Sequence, residues 1–228
     1  MFSKKRILFL FDIDGTLVKL DKTGRLVYQR ALCEVLGKEV SIEGIDWLGT
    51  TDIEIIHKVI EDNGFYGKDS VKKMFQVFER ISLLFREIIE KTPQKLLLLP
   101  YAYEVSEWVY ENFYTCLLTG NIKDVAYMKI GLFGLDKFFP VGAFGDEKKD
   151  RRKLVPIAIN RSKEYYKVDF EDYFIVGDSH RDIIAAKENN IKSIIVLTGK
   201  MTKDKLLPYG PDFLIDDLSQ LKAIVGSF

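Results

Sequence analysis

Cysteine is scarce. The 228 residues hold only Cys33 and Cys116, neither in a Cys-x-x-Cys or Cys/His cluster, which excludes a disulfide framework and a cysteine-based zinc site and points to a reducing cytoplasm. An excess of one charge is missing too: 34 Lys plus Arg balance 34 Asp plus Glu, so the chain lacks the field that draws basic proteins onto nucleic acid or acidic lipid. Long hydrophobic runs are also absent. Lys4, Lys5 and Arg6 precede an apolar run over residues 7–11, but Asp12 ends it after five residues, too short for a secretory leader. No stretch approaches the roughly 18 to 20 apolar residues of a membrane span. A soluble protein with no nucleic-acid or membrane partner is expected.

The composition, 47% hydrophobic and 30% charged, is that of a folded globular chain and excludes disorder. Short apolar runs closed by polar or small residues recur at 7–11, 114–118, 140–144, 173–176 and 193–197, as buried strands do. Amphipathic stretches long enough for crossover helices follow at 121–132, 151–166 and 181–190. This alternation predicts an α/β fold with a Rossmann-like parallel sheet. A run at 213–215 adds an edge strand before a closing helix at 218–225. Between the first two strand runs, apolar positions follow helical spacing instead. Val71, Met74, Phe75, Phe78, Ile81, Phe85, Ile88 and Ile89 share one stripe, and further helices fit 28–36 and 53–60, the latter capped by Thr51 or Asp52. The chain therefore divides into a core, residues 1–18 and 95–228, and an inserted helical domain, residues 19–94, with junctions near 18–22 and 92–97.

The first strand ends in Phe11-Asp12-Ile13-Asp14-Gly15-Thr16-Leu17, so two carboxylates leave the carboxyl end of a buried strand, where open α/β sheets place ligands. Capping aspartates in a turn would look similar, yet four specified residues arise by chance only on the order of once per several hundred chains. Leu117-Leu118-Thr119-Gly120-Asn121 closes the second strand with a hydroxyl and flexible backbone at a helix start, suited to phosphate oxygens or to a plain helix cap. Ile175-Val176-Gly177-Asp178-Ser179-His180-Arg181-Asp182 puts two carboxylates at another helix start, where the dipole alone would favour them.

In their order these pieces resemble the haloacid dehalogenase (HAD) superfamily: Asp-x-Asp-Gly-Thr first, a Thr after the second strand, a basic residue, then Gly-Asp-x-x-x-Asp. The likeness runs from residue 7 to about 197 and is greatest to the phosphoglycolate phosphatase-like subgroup, whose helical cap sits where the insertion lies. Dehalogenases lack the second aspartate, so Asp14 implies phosphoryl transfer. The resemblance implies that Asp12 attacks phosphorus to give an aspartyl-phosphate and that Asp14 is general acid, then base. It further implies Mg²⁺ held by the Asp12 carboxylate, the Asp14 carbonyl and Asp178, with Asp182 steadying the site from behind. Thr119 and the amide of Gly120 or Asn121 would hold phosphate oxygens, with a basic residue from Lys148-Lys149-Asp150-Arg151-Arg152-Lys153. Arg151 best fits the subgroup pattern; Arg152 and Lys153 are the other candidates.

The expected activity is Mg²⁺-dependent hydrolysis of a small phosphorylated metabolite, phosphoglycolate-like or a sugar phosphate. A sugar phosphomutase of the same fold, or a non-catalytic phosphometabolite-binding module, are the alternatives. Elsewhere, His57 reads as a cap-helix histidine and His180 as an exposed loop residue. The stripe from 71 to 89 reads as cap core, and Tyr101, Tyr103, Trp108 and Tyr110 as a helix packed on the sheet. The turn Gly49-Thr50-Thr51-Asp52 either reaches over the site or simply starts a helix.

Overall fold

The computed structural model describes residues 4–21 and 23–225. Residues 1–3 and 226–228 at the ends of the expected core, and Lys22 at the first junction, lie outside the described residues. Eight strands are present among them: β1 (Ile7–Phe11), β2 (Val18–Leu20), β3 (Leu96–Leu98), β4 (Tyr114–Leu118), β5 (Gly142–Ala143), β6 (Asp172–Gly177), β7 (Lys192–Val196) and β8 (Phe213–Ile215). Six form one parallel sheet in the order β5-β4-β1-β6-β7-β8, the predicted Rossmann-like α/β core.

β1 is apolar throughout because both faces of a central parallel strand are covered. Side chains alternate across it. Phe9 and Phe11 join one cluster with Val105, Val109, Ala126 and Leu221, whereas Leu8 and Leu10 join another with Leu154, Ala158 and Ala186. The first layer comes from α4 (Ala102–Asn112), α5 (Lys123–Gly131) and α9 (Leu221–Val225), the second from α6 (Leu154–Tyr166) and α7 (His180–Glu188); α8 (Lys203–Leu206) lies beyond β7. Phe9 stacks on Phe174 with centroids 5.2 Å apart and meets the edge of Phe113 at 5.4 Å. Burying each such side chain contributes about 1.5–3 kcal/mol.

Helices α1 (Thr23–Leu36), α2 (Asp52–Asp62) and α3 (Gly67–Lys91) surround a separate cluster centred on Leu32, Ile56, Ile60, Val77 and Ile81. Ile122 and Val125, from the start of α5, complete that cluster and tie the helices to the sheet.

Local details differ from the sequence reading. α1 begins at Thr23 rather than residue 28, its first amide accepted by Asp21 Oδ1 at 2.7 Å. β2 and β3 pair antiparallel at the two junctions; three-residue strands carry no readable period. Residues 140–144 yield only Gly142–Ala143 as strand, since the Phe144 amide is taken by Glu147. On α3, Val71 and Phe75 are exposed while Val77 and Leu84 are buried, because packing selects a face rotated from the expected stripe. Tyr101 precedes α4 in left-handed backbone and is half-exposed, whereas Tyr103, Trp108 and Tyr110 do pack on the core. His180 opens α7 half-buried, its ring nitrogen 3.4 Å from Met201 Sδ, and is not on an exposed loop. His57 pairs with Glu61 one turn along α2 at 3.0 Å. No helix among the described residues is long and apolar enough to cross a membrane.

Candidate active site

The strand order reverses at β1: the chain fills the sheet outward through β4 and β5, then crosses to β6, β7 and β8 on the other side. Ligand crevices of open α/β sheets form at the carboxyl ends of strands flanking such a reversal. Asp12 follows β1, its amide donating to the Val176 carbonyl at 2.9 Å, and Thr119 follows β4, its amide donating to the Ala143 carbonyl at 3.2 Å. Asp178 follows β6. Gly15 turns the chain after Asp14 at φ +83°. A Cβ there would come within 2.3 Å of Asp178 Oδ2, and one at Gly199 within 1.8 Å, so two glycines make room for this carboxylate. Thr198 Oγ1 donates to the Gly15 carbonyl at 2.6 Å and joins the two loops. The Thr198-Gly199 loop carries no signal in the sequence.

Asp12, Asp178 and Asp182 are all buried and each offers an oxygen within 4.8 Å of the others. Asp182 is already engaged: it accepts from Arg151 Nη2 at 2.6 Å and from the Ser179 amide and hydroxyl at 3.1 and 2.6 Å. The Ser179 pair is the capping box that starts α7. Arg151 also donates to the Leu118 carbonyl at 2.9 Å and lies 3.3 Å from Asp12 Oδ1. Burial pushes the Asp12 carboxyl up to about 6, against the pull of Arg151 and with further push from Asp182 and Asp14. Burial, then the charges of Asp12 and Asp182, drive Asp178 well above the usual carboxylate range. The Asp178 carboxylate accepts no hydrogen bond among the described residues. One guanidinium thus faces three buried carboxylates, and Asp12 and Asp178 have the oxygen chemistry of a hard divalent cation site.

Of the basic candidates, only Arg151 enters this cluster. Arg152 pairs with Asp150 and Glu188 at the surface, at 2.7 and 2.6 Å, and Lys153 is exposed. Asp14 sits at the lip of the cavity with its side chain 42% exposed. Asn121 Nδ2 donates to Asp14 Oδ2 at 2.7 Å and to Thr119 Oγ1 at 2.8 Å, so the loop after β4 is linked to the first motif. A further member went unread in the sequence: Lys129 of α5, whose buried ammonium lies 2.7 Å from Asp14 Oδ2. A lysine in an amphipathic helix ordinarily signals the solvent face.

The helical layer closes over these loops through the start of α2. Thr51 is its N-cap, accepting from the Glu54 amide. The Asp52 amide donates to the Gly120 carbonyl at 2.8 Å and the Ile53 amide to the Gly145 carbonyl at 2.9 Å. The Asp52 carboxylate accepts from the Tyr28 hydroxyl at 2.7 Å and the Ile122 amide at 2.8 Å. The turn at residues 49–52 therefore both starts a helix and roofs the loop after β4. A Cβ on Gly120 would lie 2.3 Å from the Thr50 carbonyl, and one on Gly145 only 1.6 Å from that of Gly120. A cavity of about 170 Å³, open to solvent at the lip, has Asp12, Asp14, Asn121, Lys129 and Arg151 on the sheet side and Arg25, Tyr28, Trp47 and Phe85 on the helical side.

The HAD-hydrolase-like family model matches residues 150–221. The chain is 24% identical over 220 residues to pyrophosphatase PpaX of Listeria welshimeri, spanning 95% of this chain and 94% of that one. It is 25% identical over 222 residues to phosphoglycolate phosphatase of Vibrio parahaemolyticus, spanning 96% of each. Among solved structures, a hydrolase from Pseudomonas syringae superposes with a TM-score of 0.68 at 18% identity, over 96% of this chain and 97% of the other. The two aspartate motifs thus converge at the switch point of a parallel sheet, in a fold shared with that hydrolase, and the second of them lies within the stretch that matches the HAD-hydrolase-like model.

Proposed function

We propose that the protein is a cytoplasmic, Mg²⁺-dependent phosphomonoesterase acting on a small phosphorylated metabolite, phosphoglycolate-like or a sugar phosphate. The observation that carries this reading is Asp12: a buried carboxylate at the end of the central strand, 3.3 Å from Arg151, on the floor of a cavity whose lip is Asp14. That arrangement suits in-line attack on phosphorus with a second carboxyl group beside the leaving oxygen. Asp12 takes the phosphoryl group as an aspartyl-phosphate; Asp14 gives a proton to the leaving oxygen and later takes one from the attacking water. Thr119 and the backbone at Gly120 and Asn121 hold phosphate oxygens, and Arg151 offsets their charge. Asp182 acts through Arg151, fixing its fork beneath Asp12.

The Asp12 carboxylate, the Asp14 carbonyl and Asp178 are the residues that would hold Mg²⁺. When bound, the ion supplies the positive charge that lets Asp12, Asp178 and a phosphate share one pocket. Residues 19–94 act as a cap that excludes water and bulky phosphoesters. Support for a small substrate comes from the cavity volume and from the activities named for the relatives.

The test is release of inorganic phosphate by wild type and Asp12→Asn across a panel of small phosphomonoesters, with Mg²⁺ and with EDTA. Release that needs the metal and is lost in the variant is expected. Wild-type turnover in Asp12→Asn overturns the nucleophile, and sugar-phosphate isomer exchange without free phosphate replaces hydrolysis by mutase action.

A further inference from the structure

We propose that Lys129 is a positioning residue for proton transfer: its buried ammonium holds the Asp14 carboxylate so that Oδ1 is the oxygen that gives and takes the proton. This rests on the phosphatase reading above. Lys129 lies within α5, outside every motif loop, with its side chain 5% exposed. Its Nζ donates to Asp14 Oδ1 at 2.8 Å, to Asp14 Oδ2 at 2.7 Å and to Asn121 Oδ1 at 2.7 Å. These contacts use all three donors of an ammonium. Asp14 Oδ2 accepts from Asn121 as well as Lys129, which fills its two acceptor positions. Oδ1 accepts from Lys129 alone among the described residues and keeps one position for a proton.

The environment strengthens the pairing. The Phe85 ring of α3 covers the ammonium at 5.3 Å from its centroid, so the ion pair is shielded from water on the cap side. Charge-assisted bonds of this length are the strong ones, and here a buried ammonium holds a carboxylate that stays open to the cavity on its other side. In the first half-reaction Asp12 forms its bond to phosphorus, the bond from phosphorus to the leaving oxygen breaks, and the proton on Asp14 Oδ1 passes to that oxygen. Asp14 is then an anion against a fixed ammonium. In the second, the water oxygen bonds to phosphorus, its proton goes to Oδ1, and the phosphorus bond to Asp12 breaks to free the carboxylate and phosphate. Lys129 touches neither phosphorus nor the leaving group in this scheme. Its effect is to keep Oδ1 aimed and to stabilise the charge left when the proton departs.

A leaving-group comparison tests this. For Lys129→Met, Lys129→Arg and wild type, kcat/KM is measured on p-nitrophenyl phosphate, whose leaving group departs without a proton, and on an alkyl phosphate, whose leaving group needs one. Because kcat/KM reports only steps through leaving-group departure, the alkyl-to-aryl ratio isolates proton donation and is insensitive to the fraction of active protein. Lys129→Met is expected to lower that ratio on the order of 10- to 100-fold, and Lys129→Arg to restore most of it. Lys129→Gln gives the same reading should the Met variant fail to fold. An equal loss on both esters would mean a merely structural or phosphate-binding lysine and would overturn the proposal with the phosphatase reading intact. Absence of Asp12-dependent phosphate release by the wild type would overturn both.

Discussion

Asp52 makes a stability prediction whose sign is unusual for an aspartate. Burial raises its carboxyl to about 7 from the ordinary 3.8, opposed by the bonds from Tyr28 and Ile122 and by Lys129 nearby. Between those two values the folded protein keeps a proton that the unfolded chain has released. Stability therefore falls as pH rises through this window and levels off above about pH 7. The whole interval corresponds to about 4 kcal/mol, at about 1.4 kcal/mol per pH unit. Asp52→Asn keeps the shape and an oxygen acceptor but cannot ionise, so it lacks this loss. Urea denaturation of both proteins at about pH 5 and pH 8 measures the difference, in which the shared contributions of Asp12 and Asp178 cancel. The stability of wild type minus variant should drop by about 2.5 kcal/mol between those conditions. A difference that does not change with pH, or one that moves in favour of wild type, would show that the carboxylate is ionised beneath the helical layer and that the reasoning from burial fails.

Two further perturbations probe the floor and the roof of the site. Arg151→Met leaves buried Asp182 with Ser179 alone and Asp12 without its cation, and should cost about 3–5 kcal/mol in urea denaturation. Arg152→Met breaks only exposed pairs and should stay within about 1 kcal/mol; equal losses would refute the assignment of Arg151 as the buried partner. Gly145→Ala would drive a methyl to 1.6 Å from the Gly120 carbonyl, displacing the loop of Thr119 and Asn121, with an expected loss of about 1–3 kcal/mol and of phosphate release. Gly131→Ala meets no atom nearer than 4.0 Å and should stabilise by about 0.4–1 kcal/mol. A thermal melt of the two variants in parallel, with Gly145→Ala unshifted, would refute the close docking of α2 on that loop.

The sequence alone determined the sheet and the positions of Asp12, Asp14, Thr119, Asp178 and Asp182 along it. Strand ends are fixed by where a short apolar run stops, and a residue just beyond a strand of a parallel sheet has nowhere to go but the carboxyl edge. Choosing Arg151 over Arg152 needed the tertiary structure, since neighbours on a 3₁₀ turn diverge and only packing against Asp182 selects one. The buried face of α3 was likewise decided by its neighbours: a helical period marks a stripe, but α1 and α2 determine how that stripe is rotated. Lys129 escaped notice for the same reason, and Asp52, although read at the start of α2, gave no sign of its buried partners. Their partners lie 115 and 70 residues away in sequence, so no local pattern carries them. A lysine or aspartate reads as solvent-facing until the fold brings a carboxylate or an amide to it and removes the water, and that desolvation exists only in the folded chain.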